Sequence, residues 1–324
     1  MRLDWEKWEK DTLAPYASKS GESKGRVRAE QECAVRTAFQ RDRDRIIHCK
    51  SFRRLKDKTQ VFVAPESAHF RTRLAHTLDV AQIARTIARA CWLNEDLTEA
   101  IALGHDLGHT PFGHAGERSL QVFYPEFTHN AQSLRVVDYL ENDGEGLNLS
   151  FEVRDGILHH TGESKPATLE GIIVRYADRI AYINHDIDDA VRAKLLGVDD
   201  LPKQAVALLG SRHSQRINSL VTDIIENSAG KAEIIMSEKV SKAMDELREY
   251  LFSVVYRREQ AVRDELRAQK IIADLYYYYQ NHFDKLPEYL AETLEETAVC
   301  DYIAGMTDSF AISEHQRLFG NKGR

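Results

Sequence analysis

Four residues of this chain stand in the order His76, His105-Asp106, Asp178. Together they offer two imidazole nitrogens and two carboxylate oxygens, a donor set for one divalent ion. Imidazole suits Mn, Fe, Ni and Zn, and carboxylate suits Mg and Mn. Such a set leaves coordination positions open for water and for a phosphate oxygen, which metal-assisted hydrolysis of a phosphoester requires. A His-Asp dipeptide alone arises by chance in many chains, so its surroundings matter. Leu103 to Glu117 reads LGHDLGHTPFGHAGE and carries His105, His109 and His114 in one short run. Eight of the 13 histidines fall between His69 and His160, about twice an even spread, which favours a site over scattered core histidines.

The elements that must hold these residues read as helices. Only 7 Pro and 17 Gly occur in 324 residues, with long stretches free of both. Apolar residues recur with the helical period from Leu74 to Cys91, which puts His76 in the first turn of a helix. A second helix is expected over Glu95–Leu107 with Asn94 as its cap, ending at Gly108 because Pro111 cannot continue it. His105 and Asp106 then fall on its last turn. His114 and Glu117, three apart, share a face of the next helix. Further helices are expected at 129–142, 150–160, 168–194, 203–209, 214–228, 235–281 (broken) and 287–318. On the helix over 168–194, Asp178, Tyr182 and Asp186 are spaced by four and line one face. The expected fold is all-α, with a short β-ribbon at Thr59–Val63 where TQVFV is the one β-prone stretch. The four tyrosines at 276–279 read as packing residues.

Length and composition fit a soluble globular chain: a peripheral N-terminal segment at 1–40, a catalytic core at 41–200 and a helical C-terminal region at 201–324 packed on it as one compact unit. The charged N-terminus reads as no secretory signal, and no run is apolar enough for a membrane span. The four separated cysteines, Cys33, Cys49, Cys91 and Cys300, fit the reduced thiols of a cytoplasmic protein. The net charge of −7 speaks against a general nucleic-acid binder. Yet Arg41 to Arg73 holds ten Lys/Arg against four acids, and a basic patch in an acidic chain suits a small polyanion.

At this level the chain resembles a known family. FRRLKDKTQVF (52–62), FRTRLAHTLDVAQIAR (70–85), GHDLGHTPFGHAGE (104–117), HNAQSLRVV (129–137), TLEGIIVRYADRIAYINHDIDDA (168–190) and DYIAGMTD (301–308) are similar, in order, to the deoxyguanosinetriphosphate triphosphohydrolase family of HD-domain phosphohydrolases. The resemblance implies an all-α HD fold and one divalent metal, with Mg, Mn, Fe, Co or Ni all acceptable to two His and two Asp. It implies hydrolysis of a dNTP to deoxynucleoside and tripolyphosphate. It further implies a homo-oligomer, commonly a hexamer, with allosteric dNTP activators at subunit interfaces. The assignment of Asp178 as a ligand rests mainly on this resemblance, since ADR is too short to mark one.

The resemblance also assigns the remaining chemistry. His114 would act on the leaving oxygen or the attacking water, and Glu117 would orient it through the other ring nitrogen. His129 would contact the phosphates. Because one ion offsets only part of the triphosphate charge, cationic side chains must supply the rest, with Arg73 the first candidate and Lys56 and Arg54 next. Gln60 and Asp186 would bind the sugar 3′-OH, and Tyr182 would pack beside C2′. Two other readings compete. One is a different HD phosphohydrolase, a nucleotidase or a phosphodiesterase. The other is a non-catalytic nucleotide- or ssDNA-binding protein. Base preference is not legible.

Overall fold

A computed structural model describes residues 1–60, 71–255, 259–290 and 295–320. Fifteen α-helices run through these residues: α1 (Arg2–Thr12), α2 (Ala38–His48), α3 (Lys50–Arg54), α4 (Arg73–Ala90), α5 (Glu95–Gly104), α6 (His114–Gln121), α7 (His129–Arg135), α8 (Phe151–His159), α9 (Leu169–Arg192), α10 (Lys203–Leu209), α11 (His213–Ser228), α12 (Glu238–Val254), α13 (Glu259–Asn281), α14 (Glu295–Ala304) and α15 (Asp308–Phe319). Among the described residues there is no strand, only two isolated bridges, Arg26 with Ser150 and Thr59 with Thr72. The fold is all-α, as the periodicity requires. Of the ribbon expected at Thr59–Val63, residues 61–63 lie outside the described residues.

Helix ends follow side-chain chemistry. Asn94 accepts from the amide of Leu97 and starts α5, and Thr168 accepts from Gly171 and starts α9. The helix expected over Glu95–Leu107 is shorter than its pattern: it stops at Gly104, with His105 as C-cap and Asp106 already in the turn beyond. The amide of Gly108 donates to Ser133 Oγ at 2.9 Å instead of extending the helical ladder. The helix expected over 287–318 is likewise divided. A 3₁₀ turn at Glu288–Leu290 precedes α14, and α15 restarts where Thr307 accepts from the amide of Phe310. After α7 a π-turn, Val136–Leu140, replaces the last part of the helix expected to 142.

The chain groups into two units. The first comprises Met1–Ile47, His76–His105 and Asn148–Arg258. Its centre is α5, buried at Leu97 and from Ala100 to Gly104 and covered by α8 and α9. Glycine permits that contact: a Cβ on Gly104 would sit 2.6 Å from Ile157 Cδ1. The first helix is tied down by Glu9, which accepts from Ser20 N at 2.7 Å and from Asn94 Nδ2 at 3.1 Å.

The second unit comprises His48–Ala75, Asp106–Leu147 and Glu259–Arg324. In it α13 packs on α6, α14 and α15 around Leu120, Phe127, Ile272, Leu275, Val299 and Ile303. Tyr276 and Tyr279 are buried in this core, whereas Tyr277 is exposed. No helix of the described residues is long and apolar enough to cross a membrane.

Candidate active site

In the first unit, α4 brings His76, the end of α5 brings His105, and the middle of α9 brings Asp178 to one point. His76 Nε2 lies 3.0 Å and His105 Nε2 3.8 Å from Asp178 Oδ1. One donor atom from each of the three lies within 4.8 Å of the others. The tautomer of His105 is fixed by its backbone. A carbonyl can only accept, so Nδ1 at 2.7 Å from Ala102 O carries the proton and Nε2 presents its lone pair toward Asp178. Burial pushes the Asp178 carboxyl up, but the His76 contact and the fields of His105 and His76 outweigh it and hold the group well below the usual carboxylate range. The open Nε2 of His105, the Nε2 of His76 once it gives up the proton it shares with Asp178, and an ionised carboxylate oxygen form a donor set that fits a divalent ion. Sequence reasoning missed His160, whose ring centre is 5.0 Å from that of His105 and whose Nδ1 is 2.7 Å from Ile157 O. Its only signal was the His-His pair at 159–160.

Asp106 follows His105 in the chain and belongs to the second unit. There Arg73 Nη1 donates to Asp106 Oδ2 at 2.8 Å, and His109 Nε2 lies 3.4 Å from Oδ1. Arg73, Asp106 and His109 are all buried. Burial and the charge of Arg73 keep His109 well below its ordinary value, hence neutral.

His114 and Glu117, expected to share a helix face, are in contact. Glu117 Oε2 is 3.1 Å from His114 Nδ1, while Oε1 is 3.0 Å from His129 Nδ1 and accepts from the His129 amide at 2.8 Å. One carboxylate therefore orients two histidines. The His114 side chain is 63% exposed while Glu117 behind it is 11% exposed, so the ring faces solvent from a buried anchor. Burial pushes the Glu117 carboxyl up, but hydrogen bonds from His114 and His129 hold it well below the usual range. Burial lowers His129, and Glu117 more than compensates, so His129 lies above its ordinary value. His109 stacks on His129 with ring centres 4.2 Å apart.

Before His114 the backbone is bent sharply. Phe112, a buried aromatic, has φ +63°, and Gly113 has φ +59° and ψ −133°. Such a conformation at a non-glycine residue costs on the order of 1–3 kcal/mol and persists only where surroundings fix it.

The sugar-facing candidates divide between the two units. Tyr182 and Asp186 follow Asp178 on α9; Asp186 is buried and Tyr182 half-buried. Burial raises the Tyr182 hydroxyl, and the charge of Asp178 raises it further. Gln60, in the second unit, keeps a buried Oε1 with no hydrogen-bond partner among the described residues, and the same holds for Arg73 Nε and His109 Nδ1. Such atoms cost about 1–3 kcal/mol each unless a ligand or water meets them. Arg54 and Lys56 are exposed and stand apart from this buried set: Arg54 Nη1 donates to Gly305 O at 3.2 Å, and Lys56 lies 3.7 Å from Asp57. Lys58, which the sequence did not single out, is buried instead.

The chain is similar to known proteins over nearly its whole length. Residues 73–183 match the HD domain, and residues 234–317 match the phosphohydrolase-associated domain. A deoxyguanosinetriphosphate triphosphohydrolase-like protein of Caldanaerobacter subterraneus subsp. tengcongensis is 56% identical over 97% of this chain and 94% of its own length. Proteins of the same description from Desulfatibacillum aliphaticivorans and Clostridium tetani are 48% and 46% identical, covering 98% and 96% of this chain and 98% and 94% of their own lengths.

Proposed function

The chain belongs to the deoxyguanosinetriphosphate triphosphohydrolase-like family of HD-domain phosphohydrolases, and from that premise we propose that it is a metal-dependent dNTP triphosphohydrolase, releasing deoxynucleoside and tripolyphosphate. The observation that carries the reading is the Glu117 carboxylate shared between His114 and His129. A bare phosphohydrolase metal site has no need of an exposed histidine held from behind by a buried anion. Cleavage that leaves a whole tripolyphosphate does, because a proton must be delivered to one particular oxygen of the α-phosphorus.

His76, His105, Asp106 and Asp178 would hold the divalent ion, which supplies Lewis-acid polarisation of the phosphate and activation of water. His114 acts through its Nε2 on the leaving oxygen or the attacking water, with its other nitrogen held by Glu117. His129, whose basicity Glu117 raises, faces the phosphates, and Arg73 offers them positive charge through the buried Nε that Asp106 leaves unmet. The orphaned Oε1 of Gln60 accepts from the 3′-OH, with Asp186 as the second partner, and the Tyr182 ring closes the space at C2′. Exposed Lys56 and Arg54 remain as contacts for the distal phosphates. The same reading includes a homo-oligomer, a hexamer, with dNTP activators at subunit interfaces; sedimentation and turnover of dNTP pairs check both.

Product analysis tests the reaction. The protein is incubated with Mn²⁺ and each dNTP, singly and in pairs, beside the matching NTPs, and products are separated by anion exchange. Tripolyphosphate and deoxynucleoside are expected. Orthophosphate, pyrophosphate or turnover of monophosphates alone would replace this reading with that of another HD phosphohydrolase. No turnover together with salt-sensitive ssDNA binding would make it a binding protein.

A further inference from the structure

The turn His109–Phe112 lies between the His-Asp dipeptide and His114, and two side chains from distant parts of the second unit hold its two ends. At one end, the buried Lys58 Nζ donates to the carbonyl of His109 and, at 2.8 Å, to the carbonyl of Ala304 at the end of α14. Both of these hydrogen bonds go to backbone carbonyls. At the other end, Asp308 Oδ1 accepts from the Phe112 amide at 3.0 Å. Its other oxygen accepts from the amide of Thr59 at 3.0 Å and from the Thr59 hydroxyl. Thr59 thus links the two grips, being next to Lys58 in the chain and bound to Asp308.

What the grips hold is the bend at Phe112 and Gly113. That bend sets where α6 begins, and α6 begins at His114. The Gly113 carbonyl is itself occupied, accepting from Thr110 Oγ1 at 2.8 Å and from the Glu117 amide at 3.1 Å. A Cβ on Gly113 would lie 3.1 Å from both Arg73 Nη2 and Gln60 O, so the backbone passes close to Arg73 at this point. Asp308 and Ala304 lie within residues 234–317, the part that matches the phosphohydrolase-associated domain.

We infer that Lys58 and Asp308 are positioning residues for His114: they clamp the His109–Phe112 turn from both ends, and through Asp308 the C-terminal helices determine the placement of the acid–base histidine. The catalytic part of this statement rests on the proposed role of His114. The placement part does not.

The test uses the full chain with Asp308→Asn, Asp308→Ala, Lys58→Met and Lys58→Arg, each alone and on a His114→Ala background. Hydrogen exchange of the amides from His109 to His114, and the ¹⁵N resonances of the His114 ring, report placement without substrate. With Mn²⁺ and a dNTP, kcat is expected to fall by about 10- to 100-fold in Asp308→Ala while KM stays within about twofold. Asp308→Asn, which keeps one acceptor oxygen, should recover part of that loss, as should Lys58→Arg relative to Lys58→Met. On the His114→Ala background the same substitutions should cost nothing more, because the residue they act through is gone. Faster exchange at Phe112 and a shifted His114 resonance complete the expected result. A loss in kcat that adds in full to that of His114→Ala, or exchange and ring resonances identical to the parent, would overturn the inference. Should Asp308→Ala fail to fold, Asp308→Asn and the Lys58 pair decide by the same readouts. If the parent turns over no dNTP, the proposed function fails, and exchange and ring resonances still decide the placement.

Discussion

Arg73 donates Nη1 to Oδ2 of Asp106 across 2.8 Å, with both side chains almost wholly withdrawn from water. Removing one partner of a buried pair leaves an uncompensated charge, at a cost of about 3–5 kcal/mol. Asp106→Ala therefore does more than delete a proposed metal ligand. In metal-free protein it should lower the unfolding free energy by that amount, and Asp106→Asn by clearly less, since the amide oxygen still accepts from Arg73. Urea denaturation in chelator measures both. An Asp106→Ala variant as stable as the parent would mean that the pair is worth nothing to the fold.

Glu117 anchors His114, so substituting either should strike the same step. His114→Ala is expected to lower kcat by about 10²- to 10⁴-fold. Glu117→Gln should lower it by a smaller factor, because an amide orients the ring without stabilising its cationic form. Mn²⁺ affinity, read by electron paramagnetic resonance, should stay within about twofold in both, since neither residue belongs to the His76, His105 and Asp178 cluster. A large loss of Mn²⁺ affinity in His114→Ala would instead make it a ligand.

The Glu117–His129 pair gives stability a definite pH dependence. His129 is raised above its ordinary 6.5 in the fold, so its contribution is complete below that value and is lost as pH rises through the folded value. Glu117 is lowered from 4.5, so its contribution is complete above that value and is lost as pH falls. The pair is strongest between the two. His129→Gln should cost about 1.5–3 kcal/mol near pH 5.5 and distinctly less near pH 9. Denaturation curves of both proteins at the two pH values decide it, and an equal cost at each would remove the ion pair from the account.

Periodicity and capping residues carried most of the helical layout. Asn94 caps where its position suggests, Thr168 turns out to cap the helix it was expected to begin, and the spacing of four placed Tyr182 and Asp186 beyond Asp178 on one helix. What local pattern could not show was where tertiary contacts interrupt it. The helix before the His-Asp pair ends at Gly104, and the Gly108 amide that a longer helix would use is taken by Ser133, 25 residues away. The basic stretch around Lys56 was legible as charge, but not which lysine turns inward: Lys56 and Lys58 flank the same Asp57, and it is the carbonyls of His109 and Ala304 that take up Lys58. The orphaned atoms of Gln60, Arg73 and His109 are likewise a property of packing and leave no trace in residue order.

Metal binding should appear as folding stability. A ligand that binds only the folded chain stabilises it by about 2.7 kcal/mol at one hundred times its dissociation constant. Adding Mn²⁺ to chelator-treated protein should therefore raise the melting temperature, and Asp178→Asn or His105→Ala should abolish that rise. The structure adds a refinement. Asp178 sits between two imidazoles that hold it ionised, so without metal Asp178→Asn should itself be destabilising at neutral pH. A Mn²⁺-dependent rise that survives in Asp178→Asn would place the ion elsewhere.

Sugar discrimination is the sharpest test of the α9 face. Tyr182 lies one helical turn past Asp178 and Asp186 two turns past, so a nucleotide whose phosphates meet Asp178 would bring its sugar toward both. If the Tyr182 ring closes the space at C2′, Tyr182→Ala should raise the kcat/KM of an NTP relative to its dNTP by about 10-fold or more. Tyr182→Phe, which keeps the ring, should leave that ratio within about threefold. Asp186→Asn should lower kcat/KM for both sugars alike, because the 3′-OH is common to them, and a 2′,3′-dideoxynucleotide should be insensitive to it. A Tyr182→Ala variant that keeps the parent's sugar ratio would move the source of selectivity away from α9.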